Sequence, residues 1–245
     1  MHGKNSVASV AAPDHYNITE IFHTIQGEGP FVGMPAVFVR FAGCNLRCFW
    51  CDTDFGHKKQ HTLTSLVEAI SAQPNAKLIV LTGGEPMLHN LAPLIAHPLF
   101  ADRLFQIETA GTVNPYGMSF DLMHATNLHL VCSPKTIGIN LQLVSLIKAW
   151  KYIIRAGEVD DRDGLPNRST QAPKPSYLGL KQRIFRPFDL PVAVRPASAT
   201  QIYVQPCDEG FDIEKTQQNL KAAVTVAMKY NYRLSLQTHK ILGLR

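Results

Sequence analysis

The sequence predicts an α/β fold, a partial (β/α)6 barrel built on mainly parallel strands. Three observations lead to this prediction. Apolar runs typical of strands alternate with segments typical of helices along most of the chain. Most of the predicted strands are apolar throughout, which suits a sheet that is covered on both faces. Polar residues gather directly after the strands, where a parallel α/β sheet builds its site.

The individual elements follow from local patterns. Apolar residues at helical spacing between Leu63 and Ile70 predict the first helix, and Thr62 is suited to cap its first turn. Pro93 is expected to kink the second helix. The predicted helices span 62–73, 87–97, 139–150 and 213–230. The predicted strands, one of them with its following loop, span 36–43, 76–84, 102–112, 127–135, 151–157, 200–210 and 232–240.

The chain is predicted to form one domain over residues 18–245, preceded by a loose tail at 1–17. Within the domain, the segment 157–199 contains six prolines and shows no clear period. We therefore expect an irregular insertion there.

Composition and charge restrict the class of protein. The chain has 245 residues, of which 45% are hydrophobic, enough for a substantial core. It has no apolar run of about 18 residues and no secretory leader pattern, which predicts a cytoplasmic protein without membrane contact. The net charge of +5 comes from scattered lysines and arginines. This scatter predicts a solvated surface rather than direct binding of nucleic acid.

Five of the predicted strands end in polar motifs, which read TGGE, ETAGT, SPK, QPCDE and QTHK. Any one polar strand end is explained by the chain reaching solvent. The Gly-Gly-Glu-Pro and Ser-Pro-Lys endings are harder to explain as ordinary loops. Because the carboxyl ends of parallel strands meet at one edge of the sheet, the motifs predict one extended pocket.

Three of the five cysteines, Cys44, Cys48 and Cys51, lie within eight residues directly after a strand. In a reducing compartment this clustering indicates a metal centre or catalysis rather than disulfides. A structural zinc site takes four ligands, and His57 or His61 is available to complete one. An iron–sulfur cube takes one thiolate per iron, so three thiolates leave one iron open to a small molecule. The number of cysteines favours the cube.

The spacing C-x3-C-x-aromatic-C, with Trp50 before the last cysteine, resembles the motif of the radical S-adenosylmethionine enzymes. The TGGEP segment resembles their second motif, and the backbone of Gly83 and Gly84 with the Glu85 carboxylate suits an ammonium group. The resemblance implies the radical S-adenosylmethionine core with a modified or inserted segment. It also implies a [4Fe–4S] cluster on the three cysteines, whose open iron chelates S-adenosyl-L-methionine and cleaves it to a 5′-deoxyadenosyl radical.

A narrower resemblance, to the 7-carboxy-7-deazaguanine synthase family, rests on EIFHTIQGEGPFVGMPAVFVRFAGCNLRCFWCDTDFG (20–56). It continues through LTGGEPML, IETAGT, CSPK, KYIIRAGEVDDRDGLP, IYVQPCDE and RLSLQTHK. It is weakest over 1–17 and parts of 165–199. The resemblance implies a lyase-type reaction that converts 6-carboxy-5,6,7,8-tetrahydropterin to 7-carboxy-7-deazaguanine with loss of ammonia. This step belongs to queuosine biosynthesis, a tRNA modification pathway.

The same resemblance implies roles for individual residues, with no catalytic side chain beyond the cofactor ligands. Magnesium is expected on the hydroxyl of Thr53. The implied S-adenosylmethionine contacts are Trp50, Gly83, Gly84, Glu85, Ser133, Pro134, Lys135, Gln205, Pro206, Cys207 and Asp208. The implied substrate contacts are Ile25, Gln26, Gly27, Glu28, Arg40, Thr82 and Arg245. The residues themselves support Arg40, because a charge inside an apolar strand needs a partner and a carboxylate matches its planar fork.

Two other classes stay open at this stage. A glycyl-radical-enzyme activase would act on another protein, but it would lack the IQGEG segment and the threonine after Cys-Asp. A zinc- or cluster-stabilised binding module would not be an enzyme at all. For the synthase family, the resemblance implies a pterin substrate, an electron donor such as flavodoxin or ferredoxin, and a homodimer.

Overall fold

The computed structural model describes residues 15–48, 50–51, 57–73, 76–136, 138–168, 196 and 201–244. Within these residues, nine strands form one sheet in the order β3-β1-β2-β4-β5-β6-β7-β8-β9. The strands are β1 His15–Ile25, β2 Pro35–Phe41, β3 Lys59–Thr62, β4 Leu78–Gly83, β5 Leu104–Thr109, β6 Leu128–Cys132, β7 Ile147–Ile154, β8 Gln201–Pro206 and β9 Arg233–Leu234. The helices are α1 Leu63–Ser71, α2 Ala92–Ile95, α3 Phe120–Met123, α4 Leu141–Val144, α5 Ile213–Tyr230 and α6 Thr238–Ile241.

Seven neighbouring strands, β2 and β4 to β9, run parallel to one another. At one edge, β1 pairs antiparallel with β2, and β3 pairs antiparallel with β1. A hydrogen bond between the two sides of the sheet shows that the sheet is curved. The N–H of Gly29, after β1, donates to Ser235 Oγ, after β9, over 3.0 Å. The predicted partial barrel with six long parallel strands is confirmed, and the two-residue β9 extends it.

The main hydrophobic core lies between the sheet and its helices. Leu66, Val67 and Ile70 of α1 are buried in it, as their helical spacing predicts. Burial of each such side chain contributes roughly 1.5–3 kcal/mol. The Thr62 hydroxyl oxygen accepts a 3.2 Å hydrogen bond from the N–H of Ser65, which confirms the predicted cap.

The opposite face of the sheet changes character along the strands. At the amino ends it is closed by a small apolar cluster that includes Ala36, Leu78 and Val80. Side chains alternate between the two faces of a strand, so Arg40 on β2 and Thr82 on β4 continue this same face. The apolar residues therefore form the floor of the barrel, and polar residues occupy the carboxyl ends.

The predicted helix over 139–150 is wrong beyond its first turn. Helix α4 ends at Val144, and β7 begins at Ile147. The apolar residues in this stretch fit either a helix or a strand that is buried on both faces. Parallel pairing of β7 with both β6 and β8 selects the strand.

Two further elements differ from the prediction. The segment 87–97 holds a 3-10 turn over Pro86–Leu88 followed by α2, and Pro93 lies in the first turn of α2. A proline in a first turn lacks only an N–H that would have no partner there, so it begins this helix instead of kinking one. The predicted strand over 232–240 is reduced to β9 and then α6, because Ser235 and Gln237 bond to residues 28–29.

The sequence prediction missed β1, which begins inside the expected tail at His15. Residues 1–14 of that tail lie outside the described residues. At the start of the expected insertion, residues 157–168 form turns, and the Tyr230 hydroxyl donates a 2.6 Å hydrogen bond to the Asp161 carbonyl. The rest of 157–199, apart from Pro196, lies outside the described residues. No helix in the described part of the chain has the length and apolar character to cross a membrane.

Candidate active site

A cavity of about 340 Å³ opens at the carboxyl ends of the parallel strands. Each of the five polar strand ends contributes to its wall, as the sequence predicts for one extended pocket. The predicted site residues that line it are Ile25, Gln26, Glu28, Arg40, Cys44, Cys48, Trp50, Cys51, Thr82, Gly83, Gly84, Ser133, Lys135 and Gln205. The predicted site residues that the structure describes but that do not line the cavity are Gly27, Glu85, Pro134, Pro206, Cys207 and Asp208. Thr53 and Arg245 lie outside the described residues.

The cysteine loop follows β2 and is held by local hydrogen bonds. The N–H of Cys51 donates to the carbonyl of Cys48 over 3.2 Å, and the N–H of Leu46 donates to Cys44 Sγ over 3.4 Å. Nearby, the Asn45 amide donates to the Thr112 hydroxyl over 2.9 Å. These bonds fix the turn of the loop, so that all three sulfur-bearing residues line the same cavity.

The three thiols fit the cluster that the motif implies. None of them is in a disulfide, and all three line one cavity. Burial raises the pKa of the Cys44 thiol to about 12, so binding of iron there would have to release its proton. Among the described residues, no three His, Cys, Asp or Glu side chains converge on one ion. A cube does not require such convergence, because each thiolate binds a different iron.

The glycine motif after β4 is attached directly to the cysteine loop. The N–H of Gly84 donates to the carbonyl of Phe41 over 3.0 Å, and the N–H of Glu85 donates to the carbonyl of Gly43 over 2.9 Å. Gly83 has φ of +120°, and a Cβ there would lie 2.3 Å from the Phe41 oxygen. Only glycine allows this close approach. The two sequence motifs therefore form one structural unit.

The carboxylate of Glu85 is fully buried and does not face the cavity. It accepts hydrogen bonds from the Thr109 hydroxyl at 2.8 and 2.9 Å, from the N–H of Ala110 at 2.9 Å, and from the N–H of Met87 at 3.1 Å. Burial raises the pKa of Glu85, although these donors act in the opposite direction. In this structure the Glu85 carboxylate connects the ends of β4 and β5. The sequence motif predicts instead that it contacts an ammonium group.

Lys135, after β6, reaches back toward the cysteine loop. Its Nζ donates to the carbonyl and to the hydroxyl of Ser133, the first of these over 3.1 Å. It also lies over the indole of Trp50, 5.4 Å from the ring centre. Burial lowers the pKa of Lys135. The Nε1 of Trp50 is buried without a hydrogen-bond partner among the described residues. Lys135 and Trp50 thus form one wall beside the cysteines.

A second polar cluster in the cavity is centred on Glu108 of β5, a residue that sequence reasoning did not single out. Its Oε1 accepts hydrogen bonds from the amides of Gln106 at 2.8 Å and Gln26 at 3.3 Å. Its Oε2 accepts one from the Thr82 hydroxyl at 3.3 Å and lies 3.5 Å from the Nζ of Lys151. Four donors therefore surround one carboxylate.

Lys151 of β7 joins Glu108 to the loop after β1. Its buried Nζ forms an ion pair with Glu28 as well as with Glu108. Burial works against both charges, but the Lys151 ammonium, the Gln237 amide and His239 together outweigh it and lower the pKa of Glu28 to about 2. In turn, the carboxylates of Glu108 and Glu28 raise the pKa of Lys151 despite its burial. Glu28 and Lys151 are therefore both ionised at neutral pH.

The segment after β9 closes this end of the cavity. The Gln237 amide donates to Glu28 Oε1 over 2.8 Å, and the N–H of Thr238 donates to the carbonyl of Gly27 over 3.1 Å. A Cβ on Gly27 would lie 2.0 Å from Nδ1 of His239. Burial lowers the pKa of His239, so its ring is neutral at pH 7. The QTHK strand end was the sequence signal for these contacts.

The predicted cofactor contacts at the end of β8 and directly after it have mixed positions. Gln205 lines the cavity and accepts from the Ser235 hydroxyl over 3.2 Å. Cys207 is buried in the core, with its N–H bonded to the carbonyl of Ile154. Asp208 forms an ion pair with Lys240 at 2.5 Å, which lowers the pKa of the aspartate. The last two residues therefore serve packing and attachment of α6.

Comparison with known proteins gives the family. No protein-family model matched the chain. A curated 7-carboxy-7-deazaguanine synthase from Rhodospirillum rubrum is 45% identical over 229 residues, covering 92% of this chain and 91% of that protein. One from Rickettsia prowazekii is 33% identical over 258 residues, covering 100% and 96%. The chain belongs to the 7-carboxy-7-deazaguanine synthase family.

The fold agrees with this membership. A crystal structure of QueE from Escherichia coli matches with a TM-score of 0.61 at 23% identity, covering 91% of this chain and 93% of that one. The resemblance drawn from the sequence motifs is confirmed, as is the interpretation as an enzyme of the radical S-adenosylmethionine type. For a member of the 7-carboxy-7-deazaguanine synthase family, neither the activase nor the binding-module alternative is needed.

Proposed function

We propose that this chain converts 6-carboxy-5,6,7,8-tetrahydropterin to 7-carboxy-7-deazaguanine with loss of ammonia. The observation that carries the proposal is the composition of one cavity wall. It combines three cysteine thiols that form no disulfide and the glycine motif with an acidic cluster of Glu28 and Glu108. One part suits a cluster with S-adenosylmethionine, and the other suits a ligand rich in N–H donors.

The cofactor end would be held by groups already in place. The thiols of Cys44, Cys48 and Cys51 would bind the cluster, and the backbone of Gly83 and Gly84 would contact S-adenosylmethionine. When bound, this pair supplies the radical that removes hydrogen from the substrate. Lys135 offers a cation for a carboxylate of the bound cofactor, and Trp50 offers an aromatic face for its base.

The substrate end of the cavity would orient the pterin through two kinds of ligand group, the N–H groups and the carboxylate. Within the described part of the chain, the Glu28 carboxylate has one donor on each oxygen and so retains acceptor capacity for ligand N–H groups. Gln26 presents an amide beside it. Arg40 has its Nε occupied by Glu20, while its two Nη groups have no hydrogen-bond partner among the described residues. These Nη groups are suited to the carboxylate of the pterin.

Three finer parts of the proposal rest on family resemblance. Magnesium would bind at Thr53 together with substrate oxygens, since a hard cation prefers oxygen ligands. A flavodoxin or ferredoxin would deliver the electron. The chain would act as a homodimer.

The test is anaerobic turnover of the carboxytetrahydropterin with the cluster-loaded protein, S-adenosylmethionine, magnesium and a reductant. We expect 7-carboxy-7-deazaguanine and ammonia in equal amounts, identified by mass spectrometry. Protein carrying Cys48→Ala is the matched control and should give neither product. Reductive cleavage of S-adenosylmethionine without any change in the pterin would contradict the proposed substrate while leaving the enzyme class intact.

A further inference from the structure

The buried ammonium of Lys151 connects two carboxylates that come from distant parts of the chain. Glu28 lies in the loop after β1, Glu108 lies near the end of β5, and Lys151 lies on β7 with 7% of its side chain exposed. A lysine is almost never this buried unless it is paired. Nothing in the resemblance assigns this lysine a role. Its two ion pairs therefore call for a functional explanation.

The surrounding bonds show which carboxylate remains available to a ligand. Glu108 has donors on both oxygens from three uncharged side chains in addition to Lys151. Among the described residues, the side-chain donors to Glu28 are Gln237 on one oxygen and Lys151 on the other. Glu108 is therefore fixed within the cluster, and Glu28 is the carboxylate that can accept further hydrogen bonds.

Without the ammonium, this arrangement would be unstable as a pair of charges. Two carboxylates in one partly buried site cannot both stay ionised at low cost, because like charges repel and burial disfavours each of them. One of them would take up a proton or move away. Either change would alter the acceptor pattern that the cavity presents.

We propose that Lys151 is a positioning residue that keeps Glu28 ionised and fixed against Glu108, so that Glu28 receives the N–H edge of the pterin. This inference rests on the proposed function and adds to it the group that orients the acidic end. The ammonium of Lys151 is paired with the two carboxylates, so we place its action on them rather than on the reacting carbon.

Other charges near Glu28 set the conditions of a test. Lys151 faces it from β7, Glu108 from β5, His239 from α6, and Lys135 from the loop after β6. All except the lysine under test are present in both parent and variant. The ratio of the pterin affinities of parent and variant therefore reports the effect of Lys151. Protonation of the pterin itself affects both proteins equally and cancels in this ratio.

The experiment compares the cluster-loaded parent with Lys151→Met by anaerobic equilibrium dialysis of the carboxytetrahydropterin between pH 5.5 and 8. Methionine keeps the length of the side chain and removes its charge. We expect the variant to bind about tenfold more weakly at pH 8 and about a hundredfold more weakly at pH 5.5, because burial now raises the pKa of Glu28. Affinity for S-adenosylmethionine should stay within about twofold. The control Lys148→Met removes an exposed lysine from the same strand and should bind like the parent.

The outcomes separate the possible failures. Equal pterin affinity in Lys151→Met and parent, or a loss that is the same at every pH, would overturn the positioning role while turnover by the parent upholds the proposed function. No pterin binding by the parent would overturn both. If Lys151→Met does not fold, Lys151→Arg decides: it keeps the charge, so its affinity should lie within about tenfold of the parent with no added pH dependence. A pH-dependent loss in Lys151→Arg would contradict the proposal.

Discussion

The Nε of Arg40 donates a 2.6 Å hydrogen bond to Oε1 of Glu20, the residue directly opposite it on β1. The two side chains are 27% and 22% exposed, and Arg40 lines the cavity. Sequence reasoning expected the partner of this charge to be a substrate carboxylate. The protein supplies a partner at Nε, which orients the guanidinium and leaves its fork for a ligand.

Replacing Arg40 by Lys should weaken pterin binding while S-adenosylmethionine binding persists. A lysine keeps the charge but loses the planar fork, and one charge-assisted hydrogen bond contributes about 1.5–3 kcal/mol. We expect a loss of about ten- to a hundredfold in affinity, measured by equilibrium dialysis. The control is Arg162→Lys, whose side chain is 88% exposed. Unchanged pterin affinity in Arg40→Lys would show that Arg40 serves only its pair with Glu20.

Cys48→Ala should abolish bound iron and all activity, because the cube would lose one of its three thiolate ligands. Cys132→Ala should keep the cluster, since Cys132 is buried in the core and burial raises the pKa of its thiol to about 12. The measurements are iron content and visible absorbance after anaerobic reconstitution. Cluster absorbance that survives in Cys48→Ala would refute the ligand assignment.

Thr53→Val should leave a cluster that forms and binds S-adenosylmethionine but turns over slowly. Valine keeps the shape of the side chain and removes the oxygen that would bind magnesium. A small misplacement of the substrate can lower a rate by about a hundredfold. Initial rates against magnesium concentration for parent and variant provide the measurement. Curves that superimpose would move the assignment to Asp52 or Asp54.

Glu85→Gln should change how stability depends on pH. The pKa of Glu85 in the folded protein lies above the 4.5 of an ordinary carboxyl, chiefly because of burial. The folded state therefore holds this proton more tightly, and the contribution of Glu85 is complete below pH 4.5 and is lost as pH rises through the raised pKa. The free energy of unfolding of the parent minus that of the variant should fall by about 1.4 kcal/mol per pH unit in that window. Urea denaturation from pH 4.5 to 8 tests this, and a constant difference would contradict it.

Gly27→Ala should weaken pterin binding by at least about tenfold, because small displacements of groups that position a substrate have large effects. The new Cβ would lie 2.0 Å from the ring of His239 and 2.8 Å from its backbone nitrogen. Either the loop that holds Glu28 or the start of α6 must then move. Gly138→Ala is the matched control, because a Cβ there has no neighbour within 4 Å. Equal affinity in both variants would show that the loop can shift without cost to the site.

The sequence predicted well those features that depend on residues close together in the chain. The cysteine loop, the Thr62 cap and the polar strand ends are local patterns, and each has its expected place. The sequence predicted that Glu85 is a carboxylate near the cofactor motif. It could not predict the direction of the side chain, because that depends on Thr109 and Ala110 of the next strand.

The contacts among Glu28, Glu108 and Lys151 could not be predicted from the sequence. Lys151 was part of an apolar strand segment, and Glu108 was part of a polar strand end, so neither stood out alone. Their contact crosses from β5 to β7 and depends on the curvature of the sheet. The pairing with Glu28 joins residues 123 positions apart. The strand β7 was itself shifted in the prediction, which hid the inward direction of Lys151.

The contact between Gly27 and Thr238 spans 211 positions of the chain, and this sets an order in which the cavity becomes complete during synthesis. The cysteines, the glycine motif and Lys135 have all been synthesised once 135 of the 245 residues have been made. The loop that holds Glu28 receives its contacts from Ser235, Gln237 and Thr238 only when the last strand and helix follow. The residues proposed to hold the cluster are therefore made well before those that complete the proposed substrate end of the cavity.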